Sequence, residues 1–131
     1  MTGFPGETDQ EFEESFAFID SLPFTYLHVF TYSERPGTPA AEALSQVPIP
    51  VRKQRTRALR ELAARKNLEF RRAMIRRTLS VVTLDNGTAL SENYLKVTLA
   101  APRAPNRIEE IRIEGLTSQG VCEAGTLPVL N

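Results

Sequence analysis

Three groups of residues in this 131-residue chain have types and spacings that could do chemistry. The first is the turn Gly3-Phe4-Pro5-Gly6-Glu7, just ahead of an expected helix. Backbone N–H groups at such a turn can hold an anion or ligand; equally, the glycines can serve only the backbone freedom of a tight turn. The second group is Tyr32, Ser33 and Arg35, at the end of an expected strand, where α/β barrels place their active sites. Arg35 is the one base in the first fifty residues and fits either a substrate or phosphate contact or an ion pair with Glu34. The third is a basic block at 51–78, including Arg52, Arg55, Arg57, Arg60 and Arg65. Its side chains could neutralise RNA phosphates, dock onto the acids of 9–20, or stay solvated. His28, without an identifiable acid–base partner, reads as a packing or barrel-interior residue. Neither a catalytic set nor a metal-ligating set emerges.

Cysteine count narrows the field further. Cys122 stands alone, so no disulfide can form within one chain. Iron–sulfur ligation by this sequence is excluded too, because a cluster needs three or four thiolates. Cys122 itself reads as a small core residue. No apolar run approaches the ~18 residues of a membrane span, and MTGFPGETDQ has neither the basic nor the apolar region of a signal peptide. The expectation is a cytoplasmic protein away from membranes.

Formal net charge is zero, yet the charges are segregated. Residues 1–50 carry a net of −7, residues 51–78 a net of +9 and residues 79–131 a net of −2. A basic block between acidic ones suggests a polyanion partner or an internal electrostatic dock.

The elements that position these groups follow from local signals. Thr8 and Glu11 form a T-x-x-E capping box for a helix at about 9–21, with Phe12, Phe16 and Ile19 on one face. Residues 24–32, FTYLHVFTY, read as a strand covered on both sides. Loop, helix and strand make the back half of a βαβ unit whose first strand is expected just before residue 1. Residues 33–50 read as loop, with a possible helical turn at Ala40–Leu44. A long helix follows at 51–75, with Leu59, Leu62, Ala63, Phe70 and Met74 strengthening its apolar stripe. Strands are expected at 78–84, 93–100, 107–116 and near 121–127, with a turn at Asp85-Asn86-Gly87 and a bulge near Glu109-Glu110. Four or five short strands in this space suggest a small antiparallel barrel of OB-like size.

Three segments in order, GFPGETDQEFEES at 3–15, YLHVFTYSERPGTPA at 26–40 and SENYLKV at 91–97, carry a resemblance. Together they resemble the C-terminal part of radical S-adenosylmethionine tRNA methylthiotransferases, and the HVF-x-YS-x-RPGTPA form is nearest the threonylcarbamoyladenosine branch. The β-rich tail resembles the TRAM domain, a small RNA-binding barrel. The start of that barrel departs from the usual Gly-containing first strand.

The resemblance implies an α+β chain in three parts. Residues 1–48 would be the end of an α/β partial (TIM-like) barrel from the radical core, 49–75 a basic linker helix, and 76–131 the TRAM barrel. It implies that Gly3, Phe4, Pro5, Gly6 and Glu7 line the cofactor side. It also implies tRNA contacts, near the anticodon loop, from Asn93, Tyr94 and Lys96, which match the N-Y-x-x-V core, alongside Arg35, Arg52 and Arg55. The family uses S-adenosylmethionine and two 4Fe-4S clusters, held by three cysteines in an N-terminal domain and by a C-x3-C-x2-C motif. Neither motif occurs here, so the expected role is barrel wall and tRNA holding, without catalysis and without the family's N-terminal domains. The rival expectation is a stand-alone, non-enzymatic RNA-binding module. Residues 1–45 are expected to be poorly packed, aggregation-prone, or folded onto the basic helix.

Overall fold

The computed structural model describes residues 1–125. Helix α1, Asp9–Ser21, begins at a complete capping box. Thr8 Oγ1 accepts the Glu11 N–H at 3.2 Å, and the Glu11 carboxylate accepts the Thr8 N–H at 2.8 Å. Two otherwise orphaned donors are thereby satisfied. Phe12, Phe16 and Ile19 form the half-buried face, as their spacing predicts, although α1 has no fully buried residue.

The expected strand at 24–32 does not form. A strand needs a neighbour along its length to take up its backbone groups. Among the described residues Thr2 is the one bridging neighbour: its N–H donates to Phe30 O at 2.9 Å and its carbonyl accepts the Tyr32 N–H at 2.8 Å. The result is one isolated parallel bridge, Thr2 to Thr31. The expectation of cover on both sides fails with it, since Tyr26 is 68% and Phe30 63% exposed.

A short helix α2, Pro39–Glu42, is capped by Thr38 and carries proline in its first turn. Helix α3 then runs from Ile49 to Ala73. Its buried residues are Arg52, Arg55, Thr56, Leu59 and Leu62, an interior face that is more polar than apolar. Contacts divide the chain into two compact units, Met1–Asn67 and a second beginning at Leu68, so α3 contributes to both.

The second unit is a closed five-stranded barrel in the order β1-β2-β3-β5-β4. The strands are β1 Thr78–Thr83, β2 Thr88–Ser91, β3 Lys96–Thr98, β4 Ile108–Leu116 and β5 Val121–Glu123. The expected barrel was antiparallel, but β3 and β5 run parallel, with Val97 beside Val121. Geometry requires it: strand direction cannot alternate all the way round a closed ring of five. Strand β2 was not foreseen as separate, and the expected strand at 93–100 is cut to three residues because 92–95 form a turn. Residues 126–127 of the expected last strand lie outside the described residues.

The bulge is also displaced. Pairing of β1 with β4 is regular from Thr78–Arg112 to Val82–Ile108, so Glu109 and Glu110 sit in normal register. The irregularity lies between Ile113 and Gly115, opposite β5. Ile108 breaks the apolar alternation because it points outward, at 78% exposure, while Ile111 and Ile113 point in.

Leu79, Val81, Ala89, Leu95, Val97, Leu99, Ile111, Ile113 and Val121 fill the barrel with Met74, and Phe70 and Leu116 pack against them. Arg71 fixes the last turns of α3 to this unit by donating to the carbonyls of Thr117 at 3.1 Å and Gly120 at 3.3 Å. Gly120 must be glycine, because a Cβ there would lie 2.1 Å from Lys96 O.

Candidate functional site

The Gly3–Glu7 turn is organised around arginines of α3. Arg55 donates to the Glu7 carboxylate at 2.6 Å, to Glu7 O at 3.0 Å and to Asp9 at 2.6 Å. The same Glu7 oxygen accepts the Gly3 N–H at 2.6 Å. Gly6 N–H goes to Ser45 O, and Glu7 N–H to Phe4 O. The donors that a bound anion would need at Gly3, Gly6 and Glu7 are therefore committed inside the protein. Gly3, with φ of 75°, lies against Arg52; a Cβ would come 2.4 Å from Arg52 Cγ. The conformational reading of these glycines is the one the geometry carries.

Arg52 and Arg55 are 5% exposed and are not presented to solvent as phosphate contacts. Arg52 donates to Val47 O at 2.6 Å, Gln46 at 2.9 Å and Glu34 at 3.0 Å, with its guanidinium 5.1 Å from the Tyr32 ring centre. Burial works against the charge on Arg55, but the hydrogen bonds it donates to Asp9 and Glu7 outweigh it and hold the guanidinium above its usual range. Further along α3, Arg65 pairs with Asp20 at 2.9 Å, and Lys66 donates to Asp20 O at 2.6 Å. These pairs realise the internal electrostatic dock that the charge segregation allowed.

The strand-end group separates. Tyr32 is buried edge-on to Phe4 at 5.4 Å between ring centres, and its hydroxyl has no hydrogen-bond partner among the described residues. Arg35 is exposed. Because Glu34 pairs with Arg52, the expected Glu34–Arg35 pair is replaced, and the Arg35 guanidinium has no carboxylate partner among the described residues. His28 is an exposed residue, not an interior one, and lies edge-on to Tyr26 at 4.8 Å and stacked with Phe30 at 6.1 Å between ring centres.

A set of cations that sequence reasoning named only as general basic surface lies together. Lys53, Arg57 and Arg60 line an open groove of about 400 Å³ with Thr31, Thr56, Glu61 and Ala64. All three are exposed. Their i, i+4, i+7 spacing was the available signal.

In the barrel unit, Asn93, Tyr94 and Lys96 play different parts. Asn93 is structural: its Oδ1 accepts the Ser91 hydroxyl at 2.6 Å and its Nδ2 faces Met74 Sδ at 3.5 Å. Tyr94 adopts φ of 63° at the turn and is 85% exposed, so its ring is free to stack on a base. Lys96 is exposed on the strand that follows. Arg103 is held by Glu123 and by Glu109, the latter at 2.7 Å, which keeps its guanidinium above the usual range.

The described residues do not fit an iron–sulfur cluster. Cys122 is the chain's one cysteine and is buried in β5; burial pushes its thiol up. Among the described residues no three His, Cys, Asp or Glu side chains group as metal ligands. No helix of the described residues is long and apolar enough to cross a membrane.

No family model matches the chain. It is 33% identical over 97 residues to the threonylcarbamoyladenosine tRNA methylthiotransferase MtaB of Aquifex aeolicus, covering 74% of this chain and 24% of that protein. It is 42% identical over 87 residues to a tRNA-2-methylthio-N(6)-dimethylallyladenosine synthase of Ehrlichia ruminantium, covering 66% and 20%. A synthase of that name from Wolbachia pipientis is 41% identical over 85 residues, covering 65% and 19%. The chain spans about a fifth to a quarter of the length of these curated relatives. It is homologous to the C-terminal region of these methylthiotransferases.

Proposed function

We propose that the chain, as a homologue of the methylthiotransferase C-terminal region, acts as the tRNA-holding portion of a tRNA methylthiotransferase, with its first unit contributing barrel wall. The observation that carries this reading is the pairing of that homology with a closed five-stranded barrel, which is consistent with a TRAM domain. Exposed Tyr94 and Lys96 on the barrel supply a base-stacking ring and a phosphate contact. Exposed Arg35 is the contact proposed from the first unit.

The threonylcarbamoyladenosine branch is the finer proposal, supported by the YSERPGTPA segment. The dimethylallyladenosine branch is favoured by a different observation, the higher identity over the shorter matched span. In either branch the parent reaction places a methylthio group on the adenosine ring, using S-adenosylmethionine and clusters that this chain's residues do not ligate. The chain's own task is to bind and orient the RNA.

Electrophoretic mobility shifts of the full chain with tRNA bearing threonylcarbamoyladenosine, tRNA bearing dimethylallyladenosine and a single-stranded RNA of equal length test this. Tighter binding to tRNA than to the single strand is expected, with Tyr94→Ala weakening it by about 1–3 kcal/mol, the value of one base–aromatic stack. Equal affinity for tRNA and single strand, unaffected by Tyr94→Ala, contradicts the proposal.

A further inference from the structure

We infer that Lys53, Arg57 and Arg60 form a phosphate track on α3, taking one stretch of RNA backbone along the groove beside Thr31. This rests on the tRNA-holding reading and deepens it by adding a contact surface on the first unit.

Apart from Arg72, the cations of α3 sort into two kinds. Arg52, Arg55, Arg65 and Lys66 bond to Glu34, Glu7, Asp9 and Asp20, and Arg71 bonds to backbone carbonyls. These side chains hold the fold together. Lys53 and Arg57 have no carboxylate partner among the described residues, although both lie on a helix that is otherwise well paired. Arg60 Nη2 donates to Val29 O at 3.3 Å, a contact with a neutral carbonyl that leaves its charge in place.

The spacing suits a polymer more than a single small anion. Four residues and then three along an α-helix give steps of roughly 6 and 4.5 Å, so the positive stripe is about 10 Å long. The groove is open, so a chain can follow it. Glu61 is the one carboxylate among its lining residues and marks the end where phosphate is disfavoured.

The groove floor is fixed. Thr56 Oγ1 gives its proton to Arg52 O at 3.0 Å and accepts from Thr2 at 2.7 Å and Thr31 at 2.6 Å. Three hydroxyls and a buried arginine thus hold α3 against the extended segment that forms the opposite wall. The cations project from a pre-set frame, which lowers the ordering cost of binding.

The test compares salt-dependent tRNA binding by the full chain and by two triple variants. One is Lys53→Gln, Arg57→Gln, Arg60→Gln. The other removes the same charge elsewhere: Arg72→Gln, Arg76→Gln, Arg107→Gln. Each lost phosphate contact should reduce the slope of log K against log[salt] by about 0.7–0.9, so the groove variant should lose about 2. Its affinity at low salt should fall at least tenfold, with the control losing much less. Circular dichroism confirms retained helix, and the charge-preserving variant Lys53→Arg, Arg57→Lys, Arg60→Lys should keep the wild-type slope. If wild type binds and both triple variants weaken equally, the track is refuted while the tRNA reading stands. If wild type fails to bind at low salt, both fall.

Discussion

The two units of this chain are held together by different physics. In the barrel, ten buried side chains from Met74 to Val121 form one apolar cluster. In Met1–Asn67, the buried apolar side chains are Tyr32, Val47, Leu59 and Leu62, and neither α1 nor α2 buries any residue. Arginine does much of the work there. Arg52 and Arg55 lie in the interior and reach the turn at Gly3–Glu7, the start of α1 and the loop before α3. Apolar burial is non-directional and tolerates approximate fits, whereas an arginine fork demands its carboxylates in place. A basic helix can therefore serve as an internal skeleton on one face and leave charge for a ligand on another.

The largest effect expected from this contrast is in the barrel. Replacing Ile113 with Ala should cost about 2–5 kcal/mol, the range for deleting a buried aliphatic side chain, seen as lost hydrogen-exchange protection across β1, β4 and β5. Protection of α1 should not change. If α1 loses as much as the barrel, the two units are one cooperative block and the contrast fails.

Arg55→Met comes next. It leaves Glu7, 18% exposed, without its cation, and should cost about 1.5–3 kcal/mol, the worth of hydrogen bonds to charged groups. The loss should appear at the amides of Gly3 and the first turn of α1, with the barrel strands unaffected. A smaller loss than Thr8→Ala would contradict the skeletal role of Arg55. That capping substitution should cost about 1 kcal/mol and loosen only the start of α1.

The mildest probe is pH. The Thr8 backbone N–H, and then its hydroxyl, hold the Glu11 carboxyl below its ordinary range. A depressed folded-state value means the contribution is complete above the ordinary carboxylate pKa of about 4.3 and is lost as pH falls through the lower, folded value. NMR titration of the Thr8 amide should therefore show its transition below the ordinary carboxylate midpoint. A transition at or above that midpoint would show the capping box is not formed in solution.

Much of this was legible in the residues. The capping box, both long helices and the strand-rich tail follow from local patterns that neighbours reinforce. The segment at 24–32 misled because strand-forming residue types do not supply a partner strand; among the described residues only Thr2 bridges to it. The parallel β3–β5 pair and the bulge beside Gly115 are properties of ring closure, which no local window contains. Charge segregation announced a dock, yet it could not say which arginines would be buried. Arg52 and Arg55 turn inward because Glu34, Glu7 and Asp9 meet that face of α3, and Lys53, Arg57 and Arg60 are among the cations that remain outward.

Hydrogen exchange of the full chain with and without saturating tRNA at low salt bears most directly on the functional account. Slower exchange is predicted along 29–31 and 53–64 and at the turn 92–96, with the barrel interior unchanged. No change at any of these segments, with tRNA present in excess, would contradict it.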